Sequence, residues 1–136
     1  MAQISKFIDI VQGILVADIF LATKGITYKN VYRQFLPQVK DPPAPHLALA
    51  YEVLSTDVGL NIDKVKLYVG VHTSEFIDAY EMQPVIQALL HGFQHADAEV
   101  IVYKCFNVGG PTVPYHDKVL NHWECTLEFD CEIGDA

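Results

Sequence analysis

Residues 123–133 read WECTLEFDCEI, and apolar side chains alternate in this stretch with polar ones. Successive side chains of a β-strand point to opposite faces, so a period of two predicts a strand with one apolar and one polar face. The apolar face, which we expect to lie in the core, carries Cys125, Leu127, Phe129 and Cys131. The polar face carries four carboxylates, at Glu124, Glu128, Asp130 and Glu132. The main functional question that the sequence raises is what this acidic row faces.

The geometry of a strand argues against catalysis by the acidic row alone. Residues on the same face of one strand follow each other at about 7 Å along a line. Glycosidases and metal sites instead need carboxylates that converge on one point. Two interpretations remain: a solvated outer face, or a surface that lines something negatively charged.

The remaining periodicities predict one α+β domain over residues 1–136. Apolar residues at helical spacing predict an opening helix over about 3–22, ended by Gly25. A second helical stripe contains Val85, Ile86, Leu89 and Leu90 and ends near Gly92. Alternating stretches predict strands over 46–56, 63–73 and 98–108 in addition to the final one. This order predicts a small antiparallel or mixed β-sheet with two helices packed on one face.

Proline and glycine set further expectations for the second helix and for the loops. We expect Pro84 in the first turn of its helix or at a kink, because a proline deeper inside removes a backbone hydrogen bond. The stretch NVGGPTVPYHDKV, residues 107–119, predicts a long turn between two strands. Its glycines precede a proline and no helix, so they do not form a phosphate-binding loop.

Charge and composition limit the class of protein. Half of the 136 residues are hydrophobic and 19% are charged, which is typical of a compact domain and excludes disorder. The formal net charge of −8 argues against a protein that grips nucleic-acid phosphates. A basic segment contains Lys24, Lys29, Arg33 and Lys40, whereas the C-terminal region is acidic. Such opposite charges indicate either a self-assembling surface or two solvated patches.

The cysteines and the N-terminus favour a protein made in a reducing cytosol. The chain begins with MAQISKFIDIVQ, which lacks the features of a secretory signal, and no stretch is long enough for a membrane span. Cys105, Cys125 and Cys131 have no CxxC spacing. We expect them to be free thiols packed in the core.

The histidines give no clear sign of a metal site. His91 and His95 have the spacing with which two imidazoles share a zinc ion, but the glutamate of the metalloprotease motif is missing. Since Gly92 should end the helix, we expect both at its polar C-terminus. The other histidines, His46, His72, His116 and His122, look scattered among strands and loops. We expect no metal, cofactor or catalytic residue.

The order of elements resembles that of the tail-terminator, or tail-completion, proteins of long-tailed bacteriophages. The similarity spans nearly the whole chain and rests on the opening helix and four stretches, PPAPHLALAYEV (42–53), KVKLYVGVH (64–72), PVIQALLHG (84–92) and WECTLEFDCEI. The segment 24–41 and the GGPTVPY loop have no counterpart in this comparison. The resemblance implies a small α+β domain that assembles into a hexameric ring and is not an enzyme.

The resemblance also implies partners and a place of action. Such a ring caps the tail tube, joins it to the head connector and lets DNA pass without specific binding, in a virion made in the host bacterial cytoplasm. The acidic row, Glu124, Glu128, Asp130 and Glu132, would then line the DNA channel, since like charges repel phosphate. The basic segment, Lys24, Lys29, Arg33 and Lys40, would contact a neighbouring subunit or partner. The alternative is a small enzyme or ligand-binding domain that uses the sheet face near Cys105 and His116.

Overall fold

The computed structural model describes residues 3–33 and 42–136 of the chain. Its helices are α1 (Ile4–Val16), α2 (Ile19–Thr23) and α3 (Phe76–Leu90), with a short 3-10 turn at Tyr28–Asn30. Its strands are β1 (Val31–Arg33), β2 (His46–Asp57), β3 (Ile62–Thr73), β4 (His95–Ala96), β5 (Val100–Gly109), β6 (Tyr115–Asp117) and β7 (His122–Asp135).

One sheet contains all the described strands. Its order is β1-β2-β3-β7-β5-β4, and β6 pairs with β7 beside this path. Every pairing is antiparallel except that of β1 with β2. The predicted α+β class is therefore confirmed in its coarse form, as helices combined with a mostly antiparallel sheet. The predicted number of two helices is wrong, because the described residues form three.

The central pair of strands, β3 and β7, runs in register over twelve residues, from Ile62 opposite Gly134 to Thr73 opposite Trp123. The predicted alternation in β7 is confirmed, because its apolar positions from Cys125 to Ile133 are buried and the intervening acids are partly exposed. Buried side chains of β3, β5 and β7 form one core with residues of α1 and α3. Helix α3 contacts these three strands, and α1 contacts α3 and β5.

The opening helix is shorter than the apolar pattern predicts. Asp18 interrupts it, because its carboxylate accepts a hydrogen bond from the backbone N–H of Leu21 at 2.9 Å and begins α2. A short acidic side chain in extended backbone is a favoured helix N-cap. The apolar period continues across this break, although the helix does not.

Pro84 lies in the middle of α3, so the expectation that it marks the first turn is wrong, whereas the alternative of a kink stays a prediction. The helix begins eight residues earlier, at Phe76, and the turn before the proline is packed through Ala79, Met82 and Gln83. The Gln83 side chain bonds the backbone of Thr112 twice, with its Nε2 donating to the carbonyl at 2.6 Å and its Oε1 accepting from the N–H at 2.9 Å. These contacts offset the bond that the proline removes.

The long turn predicted for residues 107–119 contains a strand. Residues Tyr115–Asp117 form β6, which pairs with the beginning of β7 through a tight turn at 118–121. The prolines of this stretch precede the pairing residues, so they do not prevent the hairpin.

The three cysteines are free and buried, as predicted. Cys105 and Cys131 are cross-strand partners in β5 and β7, and their Sγ atoms lie 3.4 Å apart. The hydrogen bond from Cys131 to Cys105, together with burial, raises the pKa of Cys131. Burial, followed by the nearby charge of Glu124, raises the pKa of Cys125 to about 12. These values keep Cys125 and Cys131 protonated near neutral pH.

Candidate functional site

Lysines of the neighbouring strands interrupt the acidic row of β7. Lys66 of β3 lies 3.9 Å from a carboxylate oxygen of Glu128 and 3.4 Å from one of Asp130. Lys104 of β5 lies 3.5 Å from Glu132. These partly exposed pairs add little stability. They do reduce the negative charge of this face below what the sequence of β7 suggests.

Glu124 differs from the rest of the row, because it contacts two histidines in a nearly closed site. Its Oε2 lies 3.0 Å from Nδ1 of His72 and 3.2 Å from Nε2 of His122. The two ring nitrogens are 3.1 Å apart. The side chains of His122 and Glu124 are only 4% and 15% exposed. Three potential ligand atoms therefore form a small triangle at one end of the sheet.

Strand register brings these residues together. His72 pairs with Glu124 across β3 and β7, and His122 precedes Glu124 by two positions on the same face of β7. His46 of β2 is the partner of His72 on the other side. The prediction that His46, His72 and His122 are scattered is therefore wrong, because three strands place them side by side.

The position of the His72 ring depends on its neighbours His46 and Gly70. The His46 ring stacks on it with centroids 4.2 Å apart and an angle of 10° between the planes. The His46 ring is in turn held by a 3.1 Å contact between its Nδ1 and the carbonyl of Pro43. Gly70 leaves room for the ring, since a Cβ at this position would lie 3.3 Å from His72 Nε2.

The environment keeps His46 and His72 neutral. Burial, followed by the neighbouring His46, lowers the pKa of His72 to about 4, and Glu124 opposes this shift. Burial also lowers the pKa of His46. A hydrogen bond to Glu124 raises the pKa of Tyr115 to about 12. At neutral pH the imidazoles of His46 and His72 are therefore uncharged, and the Tyr115 hydroxyl keeps its proton.

Members of the predicted basic segment have partners within the chain. Lys24 lies 2.8 Å from Asp78 and 3.5 Å from Glu81, both in α3. Arg33 pairs with Asp9, and its Nε donates to Gln12 at 2.9 Å. Lys29 lies in the 3-10 turn, and Lys40 lies outside the described residues. The role of this segment in subunit contact stays a prediction.

Two other pairs of candidate residues that the sequence suggested, His91 with His95 and Cys105 with His116, do not form a common site. His91 accepts from the backbone N–H of Asn107 at 3.0 Å, whereas His95 lies 2.8 Å from Asp97. Cys105 is buried in the core, whereas His116 is exposed on β6. The group His72, His122 and Glu124 is the one set of three potential metal ligands that converges within residues 3–33 and 42–136.

Comparison with models of known protein families finds no match, and a search of curated protein sequences also finds none. No helix in the described part of the chain is long and apolar enough to span a membrane.

Proposed function

We propose that this protein is a structural, ring-forming tail terminator of a phage virion, which caps the tail tube and joins it to the head connector. The observation that carries the proposal is a pair of exposed apolar hairpin tips at opposite ends of the sheet. One tip is the β2–β3 turn, with Val58 and Leu60, and the other is the β6–β7 turn, with Val119 and Leu120. Val58 and Val119 are 88% and 92% exposed.

The central ladder fixes the distance between the tips. The β2–β3 turn leads into Ile62, which pairs with Gly134 at one end of the β3–β7 ladder. The β6–β7 turn leads into His122, next to the pair of Trp123 with Thr73 at the other end. A strand of twelve residues spans about 40 Å. Exposed apolar side chains at both ends suit a subunit that contacts one partner above and another below.

The two tips are built in the same way. In each, an aspartate side chain, Asp57 or Asp117, accepts a hydrogen bond from the N–H of the leucine three residues later, at 3.0 Å. In each, an asparagine, Asn61 or Asn121, follows the leucine with a positive φ of 55°. Asparagine tolerates this left-handed conformation better than most residues. The sequence of each tip therefore presents its leucine from a defined turn.

In the proposed ring, α1 and α3 cover one face of the sheet, and the acidic row lies on the other, toward the DNA channel. Glu128 and Asp130 hold Lys66 beside them, which limits the attraction of this lysine for phosphate. Ring closure requires heterologous contacts between different patches of adjacent subunits. The basic segment is the candidate for one of these patches. The proposal assigns no catalytic residue to the protein.

The size of the particle in solution tests the proposal. We expect sedimentation and negative-stain microscopy to show a six-fold ring of 15.2 kDa subunits. A monomer at all accessible concentrations, including in the presence of the cognate tail-tube protein, would contradict it.

Tip variants test the assignment of the two ends. Leu60→Asp and Leu120→Asp should leave the ring intact, and each should abolish binding to one partner, the tube protein or the connector. Lys118→Ala, in the same turn as Leu120, is the matched control and should bind both. If one variant loses binding to both partners, or if both variants still bind both partners, the tips are not separate docking surfaces.

A further inference from the structure

We propose that His72, His122 and Glu124 bind a divalent transition-metal ion, for which zinc has the fitting chemistry. Zinc accepts neutral imidazole nitrogens and carboxylate oxygens, often with three protein ligands and one exchangeable position. This inference is independent of ring formation.

The hydrogen-bonding capacity of the three groups supports a shared cation. An imidazole nitrogen has one in-plane position, which holds either a proton or a lone pair. If both nitrogens carry protons and donate to Glu124, the two N–H groups face each other across 3.1 Å. If one nitrogen donates to the other, the acceptor has no proton for the carboxylate. A proton on Glu124 would make each edge a donor–acceptor pair, but each ring nitrogen would then have to share its one position between two contacts.

A metal ion removes this conflict, since three lone pairs can point at one centre. The edges of the triangle measure 3.0, 3.1 and 3.2 Å. Two ligands of a tetrahedral zinc, bound at about 2.0–2.1 Å, are separated by roughly 3.3 Å. Small side-chain shifts would therefore suffice for binding.

The surroundings provide a cavity on the His122 side of the triangle and supporting contacts. A cavity of about 250 Å³ borders His122 and is lined also by Pro43, Ser74 and Asn121. In the proposed site, the ion and a water ligand would enter from this cavity, past His122. Around the triangle, His46 stacks on His72, and the Tyr115 hydroxyl bonds Glu124. Such outer contacts orient metal ligands and raise affinity.

The first test measures zinc binding directly. Protein stripped with EDTA and then titrated with Zn²⁺ should bind one ion per chain in isothermal titration calorimetry, with a matching rise in melting temperature. His72→Gln and Glu124→Gln should each weaken binding at least about tenfold. The matched controls are His116→Gln, an exposed histidine on β6, and Glu128→Gln, on the same face of β7. Both should bind like the wild type.

A second measurement uses the wild-type chain, so it does not depend on the folding of variants. Zn²⁺ should shift the side-chain NMR signals of His72 and His122, while those of His91, His95 and His116 stay in place. Cobalt should give the intense visible bands of a tetrahedral site. The proposal is overturned if the folded wild type shows no saturable zinc binding. It is equally overturned if zinc shifts His91 or His95 and leaves His72 and His122 unchanged.

Discussion

At the scale of single residues, the buried histidines should make stability depend on pH. The pKa of His72 falls from 6.5 to about 4 on folding, and that of His46 is also lowered. Between these values the unfolded chain binds protons that the folded chain does not, so the free energy of unfolding decreases as pH falls from about 6.5 to about 4. The groups around the pair are His122, Glu124, Tyr32 and Tyr115.

Urea denaturation in EDTA at a series of pH values measures this dependence. The slope of the free energy of unfolding against pH reports how many more protons the unfolded chain binds. Between pH 6.5 and 4 this number should be smaller in His72→Gln than in the wild type, by up to about one proton. His116→Gln, at an exposed histidine, is the control and should keep the wild-type slope. An unchanged slope in His72→Gln would show that this imidazole is already charged in the folded protein.

Replacing Cys131 by serine should destabilise the fold. Cys131 is 2% exposed and touches Cys105, so the new hydroxyl would lie in an apolar core. We expect a loss on the order of 1–3 kcal/mol for a poorly bonded buried hydroxyl. Thermal denaturation should show Cys131→Ser to be less stable than Cys131→Ala, which changes the volume without adding a polar group. Equal stability of the two variants would mean that the hydroxyl finds a partner.

The sequence predicted the face of each residue in β7, because that depends only on local alternation. It did not predict the histidine cluster, because that depends on register between distant strands. If Asp57 pairs with Ile62, regular pairing would bring His46 opposite Thr73. A bulge between Val53 and Ser55 shifts the partner to His72. The turn at 57–61 is visible in the sequence and could have brought His46 within one residue of His72, but the bulge has no clear signal.

At the scale of elements, the packing of α3 separates two adjacent leucines. Leu90 is fully buried, whereas Leu89 is only partly buried against the core. Leu90→Ala should lower the free energy of unfolding by about 2–5 kcal/mol, the usual range for a buried leucine. Leu89→Ala should cost clearly less. If Leu89→Ala leaves the melting temperature unchanged but prevents oligomer formation, Leu89 belongs to an interface.

Periodicity in the sequence predicted the main strands, whereas single side chains determine where the helices begin and end. Strands β2, β3, β5 and β7 lie close to where alternation predicted them. The break at Asp18 and the helical turns before Pro84 were missed, because apolar spacing does not show which carboxylate caps a helix or which contacts compensate a proline. Strand β6 was missed for a similar reason, since its pairing depends on the turn that follows it.

At the scale of the whole molecule, charge reversal on the polar face tests whether it lines a DNA channel. Glu128→Lys combined with Asp130→Lys would add two lysines per subunit and remove both carboxylates beside Lys66. If the face lines the channel of the proposed ring, assembled rings of this variant should retain DNA. Log affinity should fall with log salt by about 0.9 for each phosphate contacted.

Filter binding and the infectivity of particles carrying the variant measure this effect. Glu75→Lys combined with Glu99→Lys makes the same change in charge at other exposed positions and is the control. Normal DNA passage and infectivity in the Glu128→Lys, Asp130→Lys variant would place the acidic row on the outer surface of the proposed ring.

The position of the two hairpin tips also determines how the molecule carries mechanical load. The β2–β3 turn leads into the start of β3, and the β6–β7 turn leads into the start of β7. Because these strands are antiparallel, a pull that separates the tips draws them past each other along their length. Their hydrogen bonds run perpendicular to the strands, so this pull shears the ladder as a whole instead of opening it bond by bond. A subunit held at both tips would therefore resist tension along the strands. A force perpendicular to the strands would detach the short β1 or β4 far more easily.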